Sequence, residues 1–235
     1  MFRHLLVRAS EQPALAQGHA WPGLLSPREE TILSGLGIVP RRRKWLLGRL
    51  AAKLLVREMS PESRLVDSHI SVLNQPSGEP FVLIEGHGGW SHPISISHRS
   101  AIGMAAAPTD SHARIGADLE TVEPRDEALV RQFFTDDEAA AVEASGDDRN
   151  LVMARIWSAK EAVLKLVGLG LRIDTRGVVV RLTGDTFAGC PDGWQPIDVK
   201  VVAALPRQDL LDGLRVVWRR EPDCVLTVAV SQVTG

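Results

Sequence analysis

The stretch that decides the fold of this chain is WSAKEAVLK at residues 157–165. Residues four apart on a helix share a face, and Trp157, Glu161 and Lys165 have this spacing. Apolar residues nearby supply a stripe for burial: Ile156, Val163, Leu166 and Val167. The pattern therefore predicts a long helix over residues 149–167 that presents an aromatic ring, a carboxylate and an ammonium on one face.

A second acidic pair lies upstream, in the sequence IGADLE at residues 115–120. If this segment is a strand, Asp118 and Glu120 project from one face and apolar residues from the other. Taken alone, the pair is most simply a strand with one solvated acidic face. The functional alternative is a Mg²⁺ site, because this ion commonly takes one or two carboxylates together with water and phosphate oxygens. Glu161 is the candidate third ligand.

The helix pair Glu161 and Lys165 has a simple structural explanation as well. A surface salt bridge at this spacing contributes only about 0.2–0.5 kcal/mol to helix stability. An exposed helix face has no need of Trp157 one turn earlier, however, and this favours a site over a solvated face.

A histidine among hydroxyls follows an apolar strand in SISHRS at residues 95–100. This histidine either forms hydrogen bonds with serine hydroxyls at a turn or belongs to a phosphate-binding loop. A Ser-His-Asp hydrolase fits less well, because adjacent Ser97 and His98 on one strand point in opposite directions. The sequence also has no G-x-S-x-G motif. Phosphate binding by hydroxyls, backbone N–H groups and the imidazole is the better functional hypothesis.

A basic run, RRRK at residues 41–44, opens a predicted helix. Such runs are usually solvated, but cations at a helix N-terminus are mildly unfavourable for the helix dipole. This local conflict favours a role in holding an anion.

The composition is that of an ordinary globular protein: 235 residues, 44% hydrophobic and 24% charged. The net charge of −2 argues against generic nucleic-acid binding. Cys190 and Cys224 form no CxxC motif, so neither a zinc site nor a disulfide framework is expected. No signal-peptide core or membrane-length apolar run is visible, and we expect a cytoplasmic protein without membrane contact.

Turn signals divide the chain near residues 108–112 into two halves, 1–110 and 111–235. Residues 1–25 carry no clear element, and no internal sequence repeat is visible. Helices are predicted from Pro27 and from Pro40 to Met59, with Arg49 and Lys53 off the apolar stripe of the second. Further strands and helices are predicted over residues 69–73, 80–84, 113–120, 125–133, 135–145, 178–182, 197–203, 214–218 and 225–230.

Four motifs in order resemble the 4′-phosphopantetheinyl transferases of the surfactin-synthetase type. They are S-x-S-H at residues 95–98, G-A-D-L-E at 116–120, F-F-T-x-x-E at 133–138 and W-S-A-K-E-x-x-x-K at 157–165. Each motif alone is weak, but their order and spacing together are specific. The resemblance extends from about Arg28 to the C-terminus.

This resemblance implies an α+β monomer in which two similar halves have a pseudo-two-fold arrangement, the first half on the coenzyme A 3′-phosphate and adenine side and the second on the magnesium and catalytic side. It implies transfer of the 4′-phosphopantetheine arm of coenzyme A to a serine of an apo acyl or peptidyl carrier protein, with Mg²⁺ as cofactor and release of 3′,5′-ADP. The alternative is a homologue that binds coenzyme A or a carrier protein without catalysis.

The resemblance also assigns residues. Asp118, Glu120 and Glu161 match the magnesium ligands, and Glu161 and Lys165 match catalytic residues, the first as base for the carrier serine. The remaining positions match contacts with coenzyme A: Arg43, Lys44, Gly78, Glu79, Pro80, Ser97, His98, Lys160 and Lys165. Glu79 stands where the family usually has a basic residue, and Arg99 where it often has serine.

Overall fold

The computed structural model describes residues 1–61, 65–170, 173–182, 193–202 and 208–232. The chain folds into two compact units, Phe2–Ser111 and His112–Gly235, the second together with Met1. Cys190 lies outside the described residues, whereas Cys224 is buried. Within the described ranges, no helix is long and apolar enough to span a membrane.

The first unit packs helices on short antiparallel sheets. Its strands are β1 (Phe2–Arg8), β2 (Ile70–Asn74), β3 (Pro80–Ile84), β4 (Gly88–Gly89), β5 (Ser95–Arg99) and β6 (Ile102–Pro108), and its helices are α1 (Pro13–Ala16), α2 (Pro27–Ser34) and α3 (Val39–Met59). The described strands pair in the orders β1-β6-β5 and β2-β3-β4. The long helix α3 lies on β6, where a side chain at Gly103 would sit 2.5 Å from the backbone of Leu47.

Local signals explain where α2 starts. Ser26 caps it, and Glu29 closes a capping box by accepting the Ser26 backbone N–H. Glu29 is also fully buried, accepts the Val72 backbone N–H and forms an ion pair of 2.6 Å with Lys53 of α3. Lys53 is therefore not on a solvated face of α3. Burial lowers its pKa, and Glu29 opposes that shift.

The second unit has a larger sheet. Its described strands are β7 (Ala113–Thr121), β8 (Val178–Arg181), β9 (Gln195–Val201), β10 (Arg215–Arg220) and β11 (Cys224–Gln232), paired in the order β7-β11-β10-β9-β8. Its helices are α4 (Glu127–Phe133), α5 (Asp136–Ala144) and α6 (Arg149–Leu166). Helix α6 lies on β7 and β11 and buries the predicted apolar stripe.

The second unit repeats the buried pair of the first. Thr135 and Glu138 form a capping box at the start of α5. Glu138 accepts the Val180 backbone N–H and forms an ion pair of 2.9 Å with Lys160 of α6, both side chains being fully buried. Each unit therefore ties a short capped helix to a long helix and to the next strand through one carboxylate. Both units mix antiparallel sheets with packed helices, an α+β arrangement.

Most predicted elements are present within two residues of their expected ends. The longest element that was not predicted is β1, which forms in a segment where the sequence indicated no clear element; the short elements α1 and β4 were not predicted either. The partner of β1 is β6, about a hundred residues later, and the pairing runs from Phe2 opposite Pro108 to Arg8 opposite Ile102. Long-range pairing of this kind leaves little local signal.

Candidate active site

The acidic strand and the carboxylate helix meet at a glycine. A side chain at Gly116 of β7 would overlap the Ala162 carbonyl of α6 and would lie 2.5 Å from the Leu166 nitrogen. The face of β7 that carries Gly116 therefore faces α6, and Asp118 and Glu120 lie on that same face. They are only 3% and 5% exposed, so the solvated acidic face is the wrong interpretation.

Lys165 links the two elements. Its ammonium donates to the Asp118 carboxylate at 2.7 Å and to the Ala117 carbonyl at 3.2 Å. The lysine thus contributes to a bond between α6 and β7 rather than only to a salt bridge along the helix surface. Trp157, one turn before Glu161, is buried and packs against Phe133 with ring centroids 5.1 Å apart.

Glu161 completes a cluster of three carboxylates. Burial raises its pKa, and so do the charges of Asp118 and Glu120, while Lys165 opposes them; the resulting pKa is about 7. The contact of Lys165 with Asp118 at 2.7 Å and the close approach at Gly116 place α6, which carries Glu161, against the strand that carries the other two carboxylates. A carboxyl group that titrates near neutrality is suited to proton transfer.

One residue of the site has no counterpart among the residues predicted from sequence. Arg125 follows β7 and donates to Glu120 at 2.5 Å and to the Thr121 carbonyl at 3.1 Å. Both side chains of this ion pair are less than 10% exposed. The only signal in the sequence is a basic residue five positions after Glu120, which is too common to indicate a contact.

The carboxylate oxygens of this site suit a divalent cation that keeps some of its bound water molecules. Within the described ranges, no group of three or more histidine, cysteine, aspartate or glutamate side chains is arranged to hold a metal ion by itself. Asp118, Glu120 and Glu161 nevertheless offer carboxylate oxygens on two packed elements, and burial together with the charges of Asp118 and Glu120 raises the pKa of Glu161. Mg²⁺ commonly takes one or two carboxylates and completes its shell with water and phosphate, so these residues fit it.

Lys160 was predicted to contact the cofactor, but its ammonium is bound by groups of the protein itself. Its ammonium is fully buried, pairs with Glu138 and donates to the carbonyls of Thr175 and Val178 at 3.0 and 2.6 Å. These three partners use its three N–H donors. A direct cofactor contact would require breaking one of these bonds, so we interpret Lys160 as a structural residue.

The basic run and the histidine of the first unit lie near one another. Helix α3 approaches β5 so closely at Gly48 that a side chain there would lie 3.6 Å from the His98 ring. Lys44 stands one turn before Gly48 on the same side of α3. His98 is exposed, Ser97 is buried and Arg43 is half-buried with its Nε shielded from water. The first unit therefore presents a cation and an imidazole at one edge.

The loop predicted to lie beside the adenine is a tight turn attached to α3. Gly78 has a positive φ of 94° and donates its N–H to the Gln75 carbonyl. Asn74 spans this turn by donating to the Gly78 carbonyl and accepts from Arg49 at 2.7 Å. Arg49 is thus buried rather than turned to solvent, and burial lowers its pKa to about 10 although Glu29 opposes the shift.

The segment that carries this site matches a known family model. Residues 114–189 match the model described as the 4′-phosphopantetheinyl transferase superfamily. A 4′-phosphopantetheinyl transferase of Bacillus pumilus is 28% identical over 167 residues, which is 70% of this chain and 67% of that protein. Its counterpart from Bacillus subtilis is 25% identical over 180 residues, 70% of this chain and 76% of that protein.

A Synechocystis protein provisionally named as a 4′-phosphopantetheinyl transferase is 26% identical over 134 residues. This match covers 55% of the chain and spans about half, 51%, of that relative. A holo-(acyl-carrier-protein) synthase from Bacillus anthracis was solved with coenzyme A (3′,5′-ADP). It superposes with a TM-score of 0.38 at 19% identity, and the match covers 45% of this chain and 91% of that protein. Residues 114–189, which include the acidic strand and the carboxylate helix, are therefore similar to the 4′-phosphopantetheinyl transferase superfamily.

Proposed function

We propose that this protein transfers the 4′-phosphopantetheine arm of coenzyme A to a serine hydroxyl of an apo acyl or peptidyl carrier protein. The reaction releases 3′,5′-ADP and depends on Mg²⁺. The observation that carries the proposal is the cluster of Asp118, Glu120, Glu161 and Lys165 on two packed elements, with the pKa of Glu161 near 7. This cluster lies in the segment that matches the transferase superfamily.

In the proposed reaction the serine oxygen forms a bond to the phosphorus that carries the pantetheine arm. The bond from that phosphorus to the bridging oxygen breaks, and the oxygen leaves with 3′,5′-ADP. Glu161 accepts the serine proton, for which a pKa near the working pH is favourable. Lys165 offsets the charge that develops on the phosphate oxygens, and this interaction is strong in a partly dry site.

Asp118, Glu120 and Glu161 are the residues that would hold Mg²⁺. When bound, the ion supplies charge neutralisation for the diphosphate and its leaving group. Lys165 keeps Asp118 in place at 2.7 Å, and Arg125 does the same for Glu120. Both cations also reduce the repulsion among the three carboxylates.

We propose that the first unit binds the phosphates of coenzyme A that are not transferred. Lys44 and His98 lie at one edge of that unit, and Arg43 and Ser97 are their neighbours in sequence. Cationic and hydroxyl side chains are the usual partners of phosphate oxygens. The turn at Gly78, Glu79 and Pro80 is the candidate neighbour of the adenine, with its backbone rather than the Glu79 side chain as the contact.

The surfactin-synthetase type and a pseudo-two-fold arrangement of the halves are parts of the same proposal. Support comes from inside each unit. Both have the order strand, capped helix, long helix and antiparallel strands, and both contain a buried glutamate and lysine, Glu29 with Lys53 and Glu138 with Lys160. We further propose that the protein acts as a monomer in the cytoplasm.

Incubation with coenzyme A, Mg²⁺ and a set of apo carrier proteins tests the proposal. The mass of at least one carrier should rise by one phosphopantetheine, and E161Q and D118A should each lose most of this activity while staying folded. Absence of the mass increase with every carrier rules the function out. Near-normal turnover of both variants would contradict the assigned roles.

A single-turnover measurement separates the enzyme from a homologue that only binds coenzyme A or a carrier. An enzyme converts coenzyme A to 3′,5′-ADP in step with carrier labelling, whereas a binding protein releases it unchanged. Binding of labelled coenzyme A against labelled ATP distinguishes both from another Mg²⁺-dependent nucleotide enzyme.

A further inference from the structure

Among the buried polar side-chain atoms of the second unit that have no hydrogen-bond partner in the described structure are three, one each on α6, β10 and β11. They are Oγ of Ser158 on α6, Oγ1 of Thr227 on β11 and Nε1 of Trp218 on β10. Ser158 and Thr227 are fully buried, and Trp218 is 6% exposed. Leaving a buried donor or acceptor unsatisfied costs about 1–3 kcal/mol for each group. Three such atoms therefore require an explanation.

The strand register places two of these atoms in one row with the acidic site. Thr227 stands directly opposite Asp118 of β7 and, on its other side, directly opposite Trp218. Directly opposite residues of antiparallel strands share a face, and their Cβ atoms are about 4.5–5.5 Å apart. Asp118, Thr227 and Trp218 therefore form one row across three neighbouring strands, with the threonine hydroxyl in the middle.

Helix α6 crosses above this row. At one end the Arg155 guanidinium lies 3.8 Å from the centre of the Trp218 ring. At the other end the Ala162 carbonyl lies against Gly116, two residues before Asp118. Ser158 lies between these two contacts on the same side of α6, at helical spacing from both. Its hydroxyl consequently faces β11, the strand that carries Thr227.

Two hydroxyls and one N–H on a helix and two adjacent strands offer the kind of partners that a buried water molecule needs. Such waters make about three hydrogen bonds to groups that otherwise have no partner. A water here would accept a hydrogen bond from Trp218 and form hydrogen bonds with the hydroxyls of Ser158 and Thr227. The same water would lie beside Asp118, the neighbour of Thr227 in the row, and would link the threonine hydroxyl to that carboxylate.

We propose that Ser158, Thr227 and Trp218 hold an ordered water beneath α6, and that Thr227 acts through this water as a positioning residue for Asp118. The inference rests on the proposed function for its consequence in catalysis, but the water site itself does not. Groups that orient metal-binding carboxylates typically change metal affinity or activity by about 10–100-fold when removed. Thr227 therefore determines how well Asp118 is placed for a divalent cation.

The test compares T227V, which keeps the shape of the side chain without the hydroxyl, with T227S, which keeps the hydroxyl. Mn²⁺ binding to the full chain is measured by electron paramagnetic resonance with and without coenzyme A. T227V should weaken Mn²⁺ binding by about tenfold, and T227S should stay within about twofold of the wild-type protein. Equal Mn²⁺ affinity of T227V and the wild-type protein overturns the positioning role, as does a wild-type protein that binds no Mn²⁺.

Urea unfolding keeps a folding defect from being mistaken for this effect. A purely structural threonine changes the free energy of unfolding without changing Mn²⁺ affinity per folded molecule. S158A removes a different partner of the water and should weaken Mn²⁺ binding in the same direction by less than T227V. If S158A leaves Mn²⁺ affinity unchanged, the water does not link the two sides and the inference fails.

The outcomes also separate this inference from the proposed function. A wild-type protein that labels no carrier ends the proposed function, yet the Mn²⁺ comparison still decides the role of Thr227. A wild-type protein that labels carriers while T227V binds Mn²⁺ normally ends only the inference. A high-resolution crystal structure should show water density within hydrogen-bond distance of all three atoms, and a dry, collapsed space there would contradict the water site.

Discussion

At the scale of single residues, the site is a balance of three carboxylates and two cations. Asp118 is paired with Lys165 and Glu120 with Arg125, whereas Glu161 responds to the charge of the other two. Burial, together with the charges of Asp118 and Glu120, raises the pKa of Glu161 to about 7. The charge state of Glu161 should therefore change with pH near neutrality.

The first prediction concerns the stability of the protein freed of divalent cations. The folded pKa of Glu161 is about 7, above its ordinary value of 4.5, so the folded state holds this proton more tightly than the unfolded state. Its stabilising effect is complete below about pH 4.5 and is lost as the pH rises through about 7. The loss should be on the order of 3.5 kcal/mol, since the two pKa values differ by about 2.5 and a difference of one corresponds to about 1.4 kcal/mol.

E161Q is the matched control, because glutamine keeps the shape and removes the titration. Urea unfolding with a chelator should show the wild-type protein losing stability relative to E161Q between pH 5 and pH 8. A difference between the two proteins that does not change with pH would show that Glu161 titrates normally.

Helical spacing and strand alternation predicted which candidate site residues share a face of one element. The spacing of Glu161 and Lys165 and the alternation of Asp118 and Glu120 led to one cluster. The cofactor contact predicted for Lys160, next to Glu161, finds no support in its surroundings, because a helix turns by about 100° per residue and points neighbouring side chains to different sides. Arg125 depends on the path of a loop, which no periodicity describes.

At the scale of elements, each unit depends on one buried glutamate–lysine pair. The capping boxes at Ser26 and Thr135 follow from local sequence, since a serine or threonine stands three residues before a glutamate. The lysine partners, Lys53 and Lys160, come from long helices 24 and 22 positions later and could not be assigned from sequence. Lys53 was predicted off the apolar stripe of its helix and Lys160 at the cofactor, whereas both are buried in ion pairs that offset the cost of burial.

The second prediction concerns K160M. Methionine leaves the Glu138 carboxylate buried without its cation, and removal of one partner of a buried pair costs about 3–5 kcal/mol. The free energy of unfolding should fall by that amount, while the KM for coenzyme A of the folded protein should not change. A large rise in KM without loss of stability would return Lys160 to the cofactor site.

K53M provides the corresponding change in the first unit. Lys53 has the same type of partners, the carboxylate of Glu29 and the carbonyls of Asp67 and Ile70. A similar loss of stability is expected. The double variant K160M/E138Q should recover part of the loss caused by K160M, because it removes the unpaired charge.

The third prediction concerns the contact between α6 and β7. In G116A the added methyl group overlaps the backbone of α6 at Ala162, and that backbone cannot move without lifting the helix. The variant should lose about 3 kcal/mol of stability, the upper part of the range for overpacking. It should also lose carrier labelling, because Glu161 moves away from Asp118.

G37A is the control for this variant. Gly37 is exposed, and a side chain there would meet nothing within 4 Å. The substitution should change stability by less than about 0.5 kcal/mol. Equal behaviour of G116A and G37A would show that α6 does not pack tightly on β7.

At the scale of the whole molecule, two compact units each have a hydrophobic core of their own. The sequence predicted the order of most elements, because the apolar periodicity and the turn residues are local. The periodicity did not indicate β1, and the expectation of two similar halves came only from the family resemblance. Both β1 and the shared plan of the units depend on pairings between distant segments, such as β1 with β6 and β7 with β11.

The central claim is that the acidic strand and the carboxylate helix form one site for a divalent cation and the diphosphate of coenzyme A. A crystal structure of the protein with coenzyme A and Mn²⁺ tests it most directly, because the anomalous signal locates the ion. The account predicts Mn²⁺ bound to carboxylate oxygens of Asp118 and Glu161 and to the diphosphate. An ion at another position, or a diphosphate away from these carboxylates, would contradict it.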